Sequence, residues 1–278
     1  MIAQQKLMPQ QSKNQRMEEK YTLVNGNKIR YLEEGNEKNI LVLLHGLGGM
    51  AERWIPVFPF LSKKYRLIVP DIIGYGKSDK PQVDYTLNFF TKFALDFLDA
   101  LSLRKIFMIG TSLGGQIVAE CAATQNQLIK KIVMVAPAGI MKKSTPVLDA
   151  YTTAALYPTH DSVKTAYQMM MGQNKEVREE SIQNFIASMS QPNAKMAFMS
   201  TLLGLRDAPP ITEKLQLIKI PALLIWGDKD KMIPFEYSKK FASAIKDCKF
   251  VTMKGHGHTP YDENPSEFSK IVLDFLCK

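Results

Sequence analysis

Apolar positions along the chain fall into two rhythms. Short continuous runs occur at Ile40–Leu44, Arg66–Val69, Ile106–Ile109, Lys131–Val135, Ala222–Trp226 and Phe250–Met253. Such runs are what a strand covered on both faces requires. Between them, Glu52–Leu61, Leu87–Leu101, Leu113–Ala123, Phe235–Ile245 and Pro265–Leu276 repeat their apolar residues at helical spacing. Strands alternating with helices predict βα units and a mainly parallel sheet. Ahead of them, Tyr21–Val24 and Lys28–Leu32 flank Asn25-Gly26-Asn27, the signal of a hairpin.

The alternation breaks once. Over 80 residues separate the run ending at Val135 from the one starting at Ala222, with no strand candidate between. A loop of that length inside a compact domain is improbable, so residues 139–214 are expected to form a helical insertion. Seven of the chain's 15 methionines fall there. Methionine adapts to irregular apolar shapes, so most are expected to pack the insertion and a few to face a ligand. Residues 20–138 and 215–278 then form the α/β core. Residues 1–19, rich in Gln and Lys, read as a flexible tail.

Charge changes this picture little. Of 278 residues, 36 are Lys or Arg and 27 Asp or Glu, a net charge of +9. The excess is spread along the chain without a basic block, which reads as a mildly basic surface and not a nucleic-acid footprint. No apolar run reaches the roughly 18 residues of a membrane span. The N-terminal segment lacks the apolar stretch of a secretory signal, and the expected location is cytoplasmic. The three cysteines are far apart, which excludes a disulfide framework or zinc ribbon.

The candidate chemistry sits at the ends of the strand-like runs. Gly110-Thr111-Ser112-Leu113-Gly114-Gly115 follows Ile106–Ile109 and opens a helix. This is G-x-S-x-G between strand and helix, a nucleophile elbow. The turn strains the central residue and leaves no room for side chains at Gly110 and Gly114. Ser112 then stands at a helix N-terminus, where negative charge is favoured, and the Leu113 N–H would face a developing oxyanion. His45-Gly46-Leu47-Gly48-Gly49 follows Ile40–Leu44. In this loop the Leu47 N–H is the second oxyanion donor, and His45 is expected to hold the loop by hydrogen bonds. A carboxylate and a histidine should follow at later strand ends. Two aspartates, Asp228 and Asp230, compete after Ala222–Trp226, and two histidines, His256 and His258, after Phe250–Met253.

Together HGLGG (45–49), DIIGYGKSD (71–79), GTSLGG (110–115), WGDKDKMIP (226–234) and GHTPYDENP (257–265) resemble the α/β-hydrolase superfamily, over about residues 20–278. The resemblance implies an eight-stranded, mainly parallel sheet with helices on both faces and a helical cap after the sixth strand. It implies Asp230 as the acid, three residues after Gly227 and before Pro234. It implies His258 as the base, followed by Pro260, Glu263 and Pro265. It leaves Asp71 and Ser78 structural. No metal or cofactor is needed. A serine at the elbow sets the chain apart from dehalogenases and epoxide hydrolases, which carry aspartate there. The expected activity is hydrolysis of small to medium, largely apolar carboxylic esters or lactones. The alternatives are cleavage of a carbon–carbon bond in meta-cleavage products, or a slow-turnover receptor on the same fold. The meta-cleavage hydrolases typically carry a proline in the oxyanion loop and an aromatic residue after the histidine. Gly48-Gly49 and Thr259 stand there in this chain.

Overall fold

A computed structural model describes residues 17–125, 127–141, 143–173 and 176–277. Eight strands form one sheet: β1 (Glu18–Val24), β2 (Asn27–Glu34), β3 (Ile40–Leu44), β4 (Arg66–Pro70), β5 (Ile106–Thr111), β6 (Ile129–Val135), β7 (Ala222–Gly227) and β8 (Cys248–Met253). Their order is β1-β2-β4-β3-β5-β6-β7-β8. The β1–β2 and β2–β4 pairs are antiparallel and the rest parallel. The hairpin turn takes positive φ at both Asn25 (49°) and Gly26 (80°), as a two-residue turn matching the strand twist requires.

Helices cover both faces of the sheet. In chain order they are α1 (Phe58–Leu61), α2 (Leu87–Ala100), α3 (Leu113–Thr124), α4 (Pro146–Leu156), α5 (His160–Met170), α6 (Glu179–Met189), α7 (Ala194–Asp207), α8 (Thr212–Leu215), α9 (Ser238–Ala244), α10 (Pro260–Glu263) and α11 (Pro265–Leu276). Successive strand residues feed opposite cores. Val42, Leu44, Ile106 and Met108 join the cluster that holds Phe90 and Phe97 of α2 and Ile117 of α3. Leu41, Leu43, Phe107 and Ile109 join the cluster that holds Trp54, Leu61, Phe268 and Val272. Alternation at period two puts both sets on continuous apolar strands. Helices α4 to α7 lie between β6 and β7. The two ends of this stretch meet where the Ile211 N–H donates to the Gly139 carbonyl at 3.0 Å.

Three expectations are corrected. β1 starts at Glu18, so Glu18 and Glu19 are not tail: they pair with Glu33 and Leu32. Glu19 also bonds Arg30 and Lys77, both at 2.8 Å, which fixes the strand end. The rest of the expected tail, residues 1–16, lies outside the described residues. Glu52–Leu61 is not one helix but a 3₁₀ turn, Ala51–Val57, running into α1. Pro56 and Pro59 offer no N–H to a continuous α-helical ladder. Phe235–Ile245 likewise begins as a 3₁₀ turn, Phe235–Tyr237, before α9. Among the described residues no helix is long and apolar enough to cross a membrane.

Candidate active site

Ser112 sits where β5 turns into α3, at φ 53° and ψ −118°. That region is costly for a residue with a Cβ, and the surroundings hold it there. The Ser112 N–H donates to the Val135 carbonyl, and the Ser112 carbonyl accepts from Ala138 and Gln116, all at 3.0 Å. The neighbouring glycines are packing necessities: a Cβ on Gly110 would collide with the Gly114 carbonyl, and one on Gly114 with the carbonyls of Leu44 and His45. Leu113 is the first residue of α3, so its N–H has no intrahelical acceptor.

The loop after β3 lies beside Ser112. A Cβ built on Gly46 would stand 3.2 Å from the Ser112 Cβ. The Gly46 carbonyl accepts from the Gly49 N–H at 3.0 Å and from His45 Nδ1 at 2.8 Å. The Leu47 N–H belongs to the same planar trans peptide as that carbonyl, so it must point the opposite way. The Leu47 carbonyl in turn accepts from the Tyr151 hydroxyl of α4 at 2.8 Å. His45 Nε2 accepts from the Ile72 N–H at 2.9 Å, so Nδ1 carries the proton it gives to Gly46. Burial lowers the His45 pKa to about 4, which keeps the ring neutral.

The two competing aspartates and two histidines separate cleanly. Asp230 is buried; its Oδ1 accepts from the N–H groups of Met232 (2.8 Å) and Ile233 (2.9 Å), and its Oδ2 meets His258 Nδ1 at 2.8 Å. A carboxylate only accepts, so Nδ1 is the donor here, and the tautomer this favours leaves the lone pair on Nε2. Asp228 instead accepts from the Gly255 N–H at the start of the histidine loop, and His256 bonds the Lys254 carbonyl within that loop. Asp71 and Ser78 are structural. Asp71 accepts from the N–H groups of Ala51 and Lys77 and pairs with Arg30, while the Ser78 hydroxyl donates to the Asp71 carbonyl.

The histidine loop is interlocked with the end of α5. The His258 N–H donates to the Met170 carbonyl at 2.8 Å and the Gln173 N–H to the Gly255 carbonyl at 2.9 Å. A Cβ on Gly172 would collide with the Gly255 carbonyl, and one on Gly257 with the Met170 carbonyl. Glu263 accepts from the N–H groups of Gly172 (2.8 Å) and Gly257 (2.9 Å). Burial raises the Glu263 pKa against these hydrogen bonds.

Two cavities open on Ser112. A small one of about 60 Å³ also meets His258, Arg53, Tyr151 and Tyr261. A larger one of about 360 Å³ meets Leu113, Met141, Leu148, Leu202, Leu205 and Ile233. Leu47 borders both. Arg53 was not visible as a site residue in the sequence, because helical spacing alone does not say which side of a turn faces a cavity. It is nearly buried, 3.3 Å from Asp262 and 4.9 Å from the Tyr167 ring centre. Burial works against its charge, but Asp262 and the surrounding tyrosines hold it protonated. Of the seven methionines between 139 and 214, Met170 and Met141 border these cavities.

Comparison with known proteins agrees with this architecture. Residues 39–265 match the model of the alpha/beta hydrolase fold family. A 2-hydroxy-6-oxo-6-(2'-aminophenyl)hexa-2,4-dienoic acid hydrolase of Metapseudomonas resinovorans is 25% identical, covering 94% of this chain and 91% of its own. A meta-cleavage product hydrolase from Pseudomonas fluorescens superposes with a TM-score of 0.84 at 22% identity, covering 93% of this chain and 97% of that one. The enol-lactonase of Burkholderia xenovorans gives 0.81 at 24% identity, covering 93% and 100%. The chain belongs to the alpha/beta hydrolase fold family.

Proposed function

We propose that the protein is a serine hydrolase that cleaves carboxylic esters or lactones through an acyl-enzyme, with Ser112, His258 and Asp230 as its triad. The observation that carries this is the shared cavity. Ser112, at a strained elbow, opens on the same space as His258, whose Nδ1 is tied at 2.8 Å to a buried carboxylate.

The chemistry follows from these positions. His258 Nε2 takes the Ser112 hydroxyl proton as Oγ attacks the substrate carbonyl. Asp230 holds the ring in the required tautomer and stabilises the imidazolium. The oxyanion is received by the N–H groups of Leu113 and Leu47, the latter aimed by the His45 clamp on the Gly46 carbonyl. The protonated histidine gives its proton to the leaving oxygen. A water activated by the same histidine then releases the carboxylic acid and frees Ser112. The segment carrying α4 to α7 acts as the cap of this site, and the chain's own residues supply every group the reaction needs.

A second reading is cleavage of a carbon–carbon bond in a 2-hydroxy-6-oxo-dienoic acid, favoured by the name and coverage of the Metapseudomonas relative. Set against it, Gly48-Gly49 stand in the oxyanion loop and Thr259 follows His258, where the meta-cleavage hydrolases typically carry a proline and an aromatic residue.

The test is turnover of p-nitrophenyl butyrate, and separately of a 2-hydroxy-6-oxo-dienoic acid, by wild type and Ser112→Ala. Ester turnover that drops by about 10³-fold or more in the variant supports the ester reading. Consumption of the dienoic acid with no ester turnover overturns it in favour of the second. An ester rate unchanged in Ser112→Ala removes Ser112 as nucleophile.

A further inference from the structure

The two cavities at Ser112 differ in size about sixfold, and they differ in which catalytic group they meet. His258 borders only the small one. That asymmetry orients the substrate. In the tetrahedral intermediate the carbon carries Oγ of Ser112, the oxyanion, the leaving oxygen and the acyl chain. The oxyanion faces Leu47 and Leu113. The leaving oxygen must lie within reach of His258, because the imidazolium returns the proton to it. The leaving group therefore occupies the cavity that His258 borders, and the acyl chain is left with the other.

Each cavity suits that role. The small one is walled by Arg53, Thr111, Tyr151, Tyr167, Met170 and Tyr261, so it is set apart by its size and by His258, and its 60 Å³ exceeds what one water needs. It can admit the attacking water of the second step after a small alcohol has left. Beyond the shared Leu148, the large one is lined by Leu202, Leu205, Met141 and Ile233, side chains with no hydrogen-bond demand to satisfy. Its outer edge carries Lys143, Asp149 and Arg206.

We infer that the substrate is an ester of a medium-length apolar acid with a small alcohol, its acyl chain lying along Leu202 and Leu205 and its alcohol on the Arg53 side. This rests on the ester reading above and names its substrate class.

Methyl octanoate and heptyl acetate test it directly. They are isomers with nearly the same apolar surface, divided differently at the carbonyl. Acid release measured at constant pH should give methyl octanoate a kcat/KM about 100-fold or more above heptyl acetate, since each misplaced methylene costs up to tenfold or more. Leu202→Trp, which fills the large cavity, should lower the ratio of methyl octanoate to methyl butyrate about tenfold. Leu205→Phe, a milder filling, should move that ratio the same way. The wild-type isomer comparison stands even if either variant fails to fold. A preference for heptyl acetate, or a variant that penalises long alcohols instead of long acids, overturns the orientation while leaving ester hydrolysis intact. No turnover of any ester overturns the ester reading and this assignment with it.

Discussion

Two buried histidines flank Ser112, one in the loop after β3 and one in the loop after β8, and their surroundings are opposite. Both nitrogens of His45 are taken by backbone: Nδ1 by the Gly46 carbonyl and Nε2 by the Ile72 N–H. Such a ring has no site from which to accept or release a proton during turnover, so it serves as a brace. His258 has one nitrogen on Asp230 and borders the cavity that contains Ser112. Burial is therefore a poor guide to the role of a histidine. What its second nitrogen meets decides it.

That contrast can be broken by mutation. The largest effect is expected at Asp230→Asn, which preserves shape but supplies an N–H or a neutral oxygen to His258. The ring then loses its tautomer, and kcat should fall by about 10⁴-fold with the fold retained, read from ester turnover beside circular dichroism. His45→Asn should cost less, about 10- to 100-fold in kcat, because a loosened Gly46 peptide aims one oxyanion donor poorly without removing it. Unchanged kcat there would mean that the loop holds its shape without the brace.

The same substitution has a pH signature. A folded His45 pKa near 4, against an ordinary 6.5, means that the unfolded chain binds the extra proton between those values. Stability from this group is fully present above about pH 6.5 and is lost as pH falls towards 4, by roughly 3 kcal/mol in all. His45→Asn should lower stability at pH 7.5 and flatten its decline between pH 6.5 and 4.5, measured by urea unfolding. An equally steep decline in the variant would assign the acid sensitivity to other groups. The smallest effects belong to the rejected competitors. His256→Gln and Asp228→Asn should each leave kcat within about twofold, and a loss near that of Asp230→Asn would reverse the assignment of acid or base.

How much of this was legible in the sequence depends on whether backbone or side-chain packing sets the position. The sheet was legible because Ile40–Leu44 and Ile106–Ile109 are apolar on both faces, which leaves a short strand few other fates. The elbow was legible because Gly110 is dictated by the Gly114 carbonyl within one local turn; Gly114 answers instead to the Leu44 and His45 carbonyls at the end of β3. The strand end alone left Asp228 and Asp230 open; the resemblance chose Asp230 by its spacing from Gly227 and Pro234, and Asp230 is the one bonded to Met232, Ile233 and His258. The 3₁₀ turn at Ala51–Val57 was missed because apolar spacing of three and of three to four look alike over seven residues. Arg53 was missed with it, since that change of pitch decides which side chains reach the cavity. The contacts of Tyr151 with Leu47 and of Tyr261 with Trp54 join residues more than 100 positions apart, and no local pattern announces them.

The seam between Met170–Gln173 and the His258 loop is made of main-chain hydrogen bonds and of two glycines that leave no space. A hinge there would drag the base away from the nucleophile. The larger cavity at Ser112 lies instead past Lys143 and Arg206, where Leu202 and Leu205 of α7 line it and no residue of the His258 loop does. A library confined to Leu202 and Leu205 of α7 should therefore retune selectivity, whereas Tyr151 of α4, bonded to the Leu47 carbonyl, must be kept to leave the oxyanion loop in place.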